Sequence, residues 1–269
     1  MRESTYSYFS VLLFALCMGA AGFTMVAFKS HISLEGPHPA AAEQSTLAPL
    51  TLDYHLLAAD MAWQRKLWTQ AAEHYLILAQ ATRRADFALL ATSAALEAEA
   101  FSLAHEAAAI WAELDPKAVE AQALSTMLTI MANDEPLART RLDALIKQAP
   151  ADALPHLMTI TTSLDQPAAQ QLFLSLLEEL SLTYAHEAPI WFALARQAQS
   201  MKLYPFALEA ADQSLALQPE WISAIALRVQ ILYQMQDKLA AKNYLEEVLA
   251  KKPHKDLQFI YTQIANELQ

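Results

Sequence analysis

Prolines recur in this chain at a spacing that few folds can accommodate. Pro116 and Pro150 are separated by one period of about 34 residues, and Pro219 and Pro253 are separated by the same period. Between Pro150 and Pro219 the chain runs through two such periods and one inserted residue. Because a proline disfavours helical backbone in the residue before it, each of the four marks a helix end. A period of this length predicts a stacked array of similar structural units.

Alanines follow the same period. One alanine stands at the same distance before each of the four prolines: Ala104, Ala138, Ala207 and Ala241. Two helices that cross closely need a small side chain where their backbones meet, so this phase predicts a recurring helix crossing. The apolar fraction of 55% fits a helical body, because much of it is alanine, the strongest helix former.

This pattern resembles the tetratricopeptide repeat (TPR), a helix-turn-helix unit of about 34 residues. Residues 188–221 match best, and they do so through Trp191, Leu194, Ala195, Ala207 and Pro219. The other units match in part, and 153–187 is degenerate, with neither the alanine nor the final proline; the units are 51–84, 85–118, 119–152, 153–187 and 222–255. The resemblance implies an all-α fold, an α-solenoid of about six TPR-like helix-turn-helix units over residues 51–255.

A C-terminal capping helix is predicted over residues 256–269. Its apolar side chains share one helical face: Leu257, Ile260, Tyr261, Ile264 and Leu268. A terminal helix of this kind covers the last repeat and keeps its apolar side out of water. Residues 29–50 contain three prolines and a glycine without helical periodicity, so they are predicted to be a linker.

Residues 8–28 form one apolar run, broken only by Ser10 and Thr24. At about 1.5 Å per residue this run can cross a hydrocarbon core of about 30 Å, so residues 1–28 are predicted to be one transmembrane signal-anchor. Arg2 precedes the run and Lys29 follows it, and with the α-amino group the balance favours the N-terminus inside. The expected location is the bacterial inner membrane, single-pass, with the body in the periplasm.

Two alternatives for this N-terminal segment stay open. Cleavage after Ala21 would make the run a long signal peptide, although such signals usually have a shorter apolar region of about 7–15 residues. Lipidation at Cys17 is the other alternative, but Leu16 places a bulky side chain where a lipoprotein signal has a small one.

Composition excludes several functional classes. The last of the three glycines is Gly36, so the body contains no glycine-rich phosphate loop, dinucleotide fingerprint or nucleophile elbow. A net charge of −11 opposes binding to nucleic acid. His105 and His186 each precede a glutamate, but Ala109 and Ile190 stand where a metalloprotease motif has its second histidine. No enzyme, cofactor or metal site is predicted.

The resemblance to TPR proteins implies a concave groove lined by the first helix of each unit. Carried over by position, the groove residues are Phe192, Arg196 and Gln199, then Gln230, Tyr233 and Gln234, and Met127, Ile130 and Met131. Aromatic, arginine and methionine side chains are enriched where proteins bind proteins. The alternative for each residue is packing between helices. A lysine–asparagine clamp for chaperone C-termini is absent, since Phe192 and Arg196 occupy those phases.

Residues 54–116 are also similar to the N-terminal repeats of bacterial envelope TPR lipoproteins, which act as adaptors for a carboxyl-terminal processing protease. The shared stretches are LLAADMAWQR, AEHYLILA and the segment from Ala108 to Pro116. The similarity implies a scaffold that binds a protein or peptide partner. Three hypotheses follow: a periplasmic adaptor, an assembly factor for a membrane complex, and a permanent accessory subunit of respiratory, cytochrome c maturation or protein-export machinery.

Overall fold

The computed structural model describes residues 49–148 and 150–268; the predicted anchor at 8–28 and most of the predicted linker at 29–50 lie outside these ranges. The described part of the chain is α-helical, with no strand. In chain order the helices are α1 (Pro49–Gln64), α2 (Trp68–Thr82), α3 (Ala85–Glu97), α4 (Phe101–Leu114), α5 (Val119–Met131), α6 (Glu135–Gln148), α7 (Pro150–Ser163), α8 (Pro167–Thr183), α9 (Ala188–Ser200), α10 (Tyr204–Leu217), α11 (Ile222–Gln234), α12 (Lys238–Lys251) and α13 (Lys255–Glu267). The prediction of an all-α solenoid is confirmed for this part. Over the same residues, no helix has both the length and the apolar character that a membrane span requires.

The helices form two compact bodies, and the boundary lies inside α5, between Leu128 and Thr129. In the N-terminal body α1 packs on α2, α2 on α3 and α3 on α4, and α2 also contacts α4. In the C-terminal body α9 packs on α7, α8 and α10, and α11 packs on α10 and α12. Contacts also join alternate helices, α6 with α8, α7 with α9, and α9 with α11. Pairing of neighbours and stacking of alternate helices together make a solenoid packing within each body.

The periodic prolines and alanines occupy equivalent structural positions. Helices α4, α6, α10 and α12 each end two residues before one of the four prolines. The four alanines at the common phase, Ala104, Ala138, Ala207 and Ala241, are all 0% exposed. A fully buried alanine leaves room for a neighbouring backbone, as close helix crossings require.

The turns inside the helix pairs use left-handed backbone without any glycine. Positive φ angles of 55° to 65° recur at the same repeat phase in four residues, Glu99, Asn133, Lys202 and Gln236. At Lys202 the backbone N–H of the next residue, Leu203, donates to Ala198 O at 2.9 Å, which is the hydrogen bond of a Schellman helix end. The missing glycines therefore do not mean missing left-handed turns, because each turn places an ordinary residue in this strained region.

We expect Lys202→Gly to raise the free energy of unfolding by about 1 kcal/mol, because glycine adopts left-handed backbone without the Cβ clash. Urea denaturation of the full chain measures the change. The matched control is Gln213→Gly, an exposed position within α10, where glycine should cost about 1 kcal/mol. Destabilisation by both substitutions would contradict the proposed strain.

Helix α13 covers the end of the C-terminal body. Leu257 and Ile264 are 0% and 4% exposed and join a core cluster that is otherwise built from α11 and α12. Ile260 and Tyr261 pack partly buried against the same cluster. Phe259, on the opposite face, is 65% exposed. The predicted face therefore packs on the preceding helices through these four side chains, whereas Leu268, its fifth predicted member, lies just past the end of α13 and is 43% exposed.

Candidate binding surface

Side chains of α9 and α11 hydrogen-bond from one helix to the other. Arg196 Nη1 donates to Gln199 Oε1 at 2.9 Å and, at a longer 3.5 Å, to Gln230 Oε1. Gln199 Nε2 donates to Gln234 Oε1 at 2.9 Å. We call these four side chains the polar ladder. Arg196 and Gln230 are one repeat period apart, so the repeat itself places them side by side.

The polar ladder extends from the protein interior to its surface. Gln199 is only 8% exposed, Arg196 is half-buried, and Gln230 and Gln234 are exposed. Each glutamine amide has two N–H donors and an oxygen that can accept two hydrogen bonds. The bonds within the ladder use part of this capacity, so the exposed amides can bind a further polar chain.

An aromatic pair lies one helical turn before Arg196. The rings of Phe192 and Trp221 have centroids 4.6 Å apart and planes tilted by 33°. Phe192 is 8% exposed, whereas Trp221 is half-buried at the N-cap of α11. Trp221 therefore presents more surface than the predicted Phe192. Sequence reasoning missed Trp221 because it stands at the last position of its unit, outside the positions assigned to a groove.

Tyr233 is held in place by the C-terminal helix. Its hydroxyl donates to Glu267 Oε2 at 2.8 Å, and Lys238 Nζ donates to the same oxygen at 2.7 Å. The ammonium of Lys238 also lies 5.1 Å from the centroid of the Tyr233 ring. The hydrogen bond from Lys238 is the main cause that lowers the pKa of Glu267, and the hydrogen bond from Tyr233 lowers it further. Tyr233 therefore has a structural role beside α13, and no sequence signal linked it to Glu267.

The predicted groove residues thus fall into two sets. Six of them lie on the neighbouring helices α9 and α11: Phe192, Arg196, Gln199, Gln230, Tyr233 and Gln234. The other three belong to α5. Met127 and Ile130 are 3% and 0% exposed and pack in the interior, and Met131 is half-buried. For Met127 and Ile130 the structure shows the alternative left open above, packing between helices.

The sequence also singled out two histidine–glutamate pairs, and the described part of the chain does not build either into a metal site. Residues 49–148 and 150–268 contain no group of three or more His, Cys, Asp and Glu side chains that could hold a metal ion. His186 is exposed beside Glu187, and Ile190, one turn later, is 0% exposed. That the protein is not an enzyme stays a prediction.

No model of a known protein family matches this sequence, and no curated protein matches it. Several solved structures are similar. The crystal structure of MamA protein is 14% identical, covering 76% of this chain and 93% of that one, with a TM-score of 0.38. A thermophilic TPR protein of Thermus thermophilus is 14% identical over 68% of this chain and 99% of its own, with a TM-score of 0.40.

A third similar structure is the TPR2AB domain of yeast Sti1 in its pHSP90 complex. It is 10% identical, covers 81% of this chain and 100% of its own, and has a TM-score of 0.33. The solenoid fold is assigned from the helix packing of this chain and not from these similarities.

Proposed function

We propose that this protein is a membrane-anchored, TPR-type scaffold of the bacterial envelope that binds other proteins through the surface formed by α9 and α11. The observation that carries the proposal is the polar ladder. Arg196, Gln199, Gln230 and Gln234 bring a guanidinium group and three amides together across two helices. Such a row of donors and acceptors suits an extended polypeptide.

The exchange of hydrogen bonds explains how the polar ladder would bind. An extended segment presents backbone N–H and C=O groups that match the amides of Gln230 and Gln234. Replacing hydrogen bonds within the ladder by bonds to the segment costs little, because each bond is exchanged for another. Trp221 adds an aromatic contact at one end, and tryptophan is among the residues that dominate binding energy at interfaces.

The charge of Arg196 defines the preferred partner. Its Nη1 bonds to the amide oxygens of Gln199 and Gln230. A carboxylate from the partner would form a stronger, charge-assisted hydrogen bond with the guanidinium. The proposed ligand is therefore an extended protein segment with an acidic side chain. Within the envelope, the adaptor hypothesis makes this partner a processing protease or its substrate, and the assembly-factor hypothesis makes it a subunit in assembly.

The anchor and the periplasmic location belong to the same proposal. They rest on the apolar run at 8–28 and on its flanking residues Arg2 and Lys29. The body lacks paired cysteines, since Cys17 is the only cysteine in the chain. Either redox compartment is compatible with a chain of this kind.

A specific observation favours a second candidate, the permanent accessory subunit of an inner-membrane complex. Tyr54, Leu57 and Met61 lie along one side of α1 and are 62%, 62% and 40% exposed. Their spacing of three and four residues places them on a single helical face. An exposed apolar face of this kind suits a permanent protein–protein interface.

The test is a pull-down of the full chain from mild-detergent extracts, with quantitative mass spectrometry of the proteins recovered. The ladder variant carries Arg196→Ala, Gln230→Ala and Gln234→Ala, which leave the aromatic pair and Tyr233 intact. We expect it to lose partner recovery about tenfold or more, since hydrogen bonds to charged groups contribute about 1.5–3 kcal/mol each.

The matched control carries Lys251→Ala, Gln213→Ala and Gln218→Ala, three exposed positions that change the same charge and amides elsewhere on the C-terminal body. It should recover the partner as the wild type does. Far-UV circular dichroism checks that both variants keep their helices. A fixed set of membrane proteins that all three chains recover equally would contradict the adaptor and support the accessory subunit.

A further inference from the structure

Two hydrogen-bond donors meet at one carboxylate oxygen beside the polar ladder. The Tyr233 hydroxyl and the Lys238 ammonium both donate to Glu267 Oε2, at 2.8 Å and 2.7 Å. The ammonium also lies 5.1 Å from the centroid of the Tyr233 ring, a contact that helps to position it. Two donors from α11 and α12 that share one oxygen form a recognition site for a carboxylate. In this structure the carboxylate belongs to the chain itself.

This carboxylate site adjoins the surface on which the polar ladder lies. Tyr233 directly precedes Gln234, which accepts the hydrogen bond from α9 near the C-terminal end of α11. Gln230 lies three residues before Tyr233, and residues three apart are neighbours on the surface of a helix. An extended segment that binds the amides of Gln230 and Gln234 therefore passes beside the Tyr233 hydroxyl.

The contact that occupies the carboxylate site is exposed to solvent. The side chains of Lys238 and Glu267 are 31% and 44% exposed, and exposed ion pairs contribute little to stability. Glu267 is also the last residue of α13, and helix ends fray. The packing of α13 depends instead on Leu257 and Ile264, which are buried in a core cluster with α11 and α12. The Glu267 carboxylate can therefore leave its two donors while α13 stays in place.

We propose that Tyr233 and Lys238 bind an acidic side chain of the partner protein, and that Glu267 is an internal competitor which the partner displaces. This assignment rests on the proposed function, because it extends the same surface from α9 and α11 to α12. The exchange replaces one carboxylate by another, so both donors keep a hydrogen bond to a charged group. The hydrogen bond to Glu267 is the main cause that raises the pKa of Lys238. The preferred partner carries this acidic side chain in addition to the one bound by Arg196.

The experiment measures how a labelled, end-blocked peptide of alternating serine and glutamate binds to the full chain in a non-ionic detergent, by fluorescence anisotropy. We expect Glu267→Gln to bind the peptide about two- to fivefold more tightly, the factor that an exposed ion pair contributes to an equilibrium constant. Lys238→Gln should bind it about two- to fivefold more weakly, because it removes a donor of the site. Both substitutions break the same ion pair, so a merely structural contact would shift the affinity in one direction for both.

Two matched controls test the effect of charge alone. Glu246→Gln and Lys251→Gln make the same changes of charge at exposed positions of α12, and both should bind the peptide as the wild type does. A peptide of alternating serine and glutamine should not distinguish any of the variants, because it offers no carboxylate to the site. Far-UV circular dichroism checks that each variant keeps its helices.

The ladder variant separates this proposal from the proposed function. Weaker peptide binding by the ladder variant, together with wild-type affinity in Glu267→Gln, would overturn the internal competitor and leave the proposed function standing. Opposite shifts in Glu267→Gln and Lys238→Gln, together with wild-type affinity in the ladder variant, would support the carboxylate site and contradict binding at the ladder. The proposal is also wrong if none of the chains binds the peptide, or if the controls shift as the two variants do.

Discussion

Replacing Phe173 by alanine is expected to lower the free energy of unfolding of the C-terminal body by about 3–5 kcal/mol, the usual cost of truncating a buried phenylalanine. Phe173 lies in α8 and is 0% exposed. Its position makes the substitution informative, because Phe173 is one repeat period before Ala207 and so stands at the alanine phase of the degenerate unit. The variant would bring this unit closer to the repeat pattern and still destabilise the protein.

The reason is that the surrounding side chains have packed around the larger residue. Truncation leaves a cavity, and the neighbouring helices relax into it only in part. Urea denaturation of the full chain, followed by tryptophan fluorescence and circular dichroism, measures the loss. Leu182→Ala in the same helix is the control, since Leu182 is 73% exposed and its truncation should change stability by less than about 0.5 kcal/mol. A Phe173→Ala variant as stable as the wild type would mean that repeat consensus outweighs the local packing.

The repeat period predicted the fold because the prolines and alanines that define it mark features of backbone geometry. A proline at the end of each period and a buried alanine at a fixed distance before it report where a helix stops and where two helices cross. These constraints depend on main-chain sterics, which a single sequence displays directly. The helix bounds follow them closely: α9 begins at Ala188 and α11 at Ile222, the first residues of units 188–221 and 222–255.

Other features depend on how side chains fill space, and the sequence does not display them. The boundary between the two bodies falls inside α5, with no proline or glycine to mark it. The left-handed turns at residues such as Glu99 and Lys202 carry no sequence signal either, because the usual glycine is absent. Schellman hydrogen bonds and the packing of flanking helices hold these residues in a conformation that their own preference opposes.

The candidate surface was likewise predictable only in part, where residue positions follow the repeat period. Position within the repeat puts Arg196 and Gln230, one period apart, at equivalent places on α9 and α11, where their side chains approach to 3.5 Å. It could not find Trp221 or Glu267, whose places depend on the N-cap of α11 and on the docking of α13. It also did not predict that His55 on α1 and His74 on α2 approach to 2.9 Å between their Nδ1 atoms, because local spacing cannot reveal a contact between two helices.

Enlarging Ala207 to leucine is expected to lower the free energy of unfolding by about 1–3 kcal/mol, the usual cost of overpacking a filled core. Ala207 is 0% exposed in α10, the helix that packs on both α9 and α11. Helix propensity contributes little, because alanine and leucine are both strong helix formers. The cost arises where a larger side chain forces the crossing helices apart, so the strain should reach the polar ladder on α9 and α11.

Two measurements separate this strain from a general effect of added hydrophobic volume. Ala216→Leu adds the same atoms to an exposed position of α10 and should leave stability within about 0.5 kcal/mol of the wild type. Loss of partner recovery by Ala207→Leu, with helices intact, would show that binding requires the spacing of α9 and α11 and not only their exposed side chains. If Ala207→Leu instead behaves as Ala216→Leu does, the alanine phase does not set the helix spacing, and the periodic alanines reflect helix propensity alone.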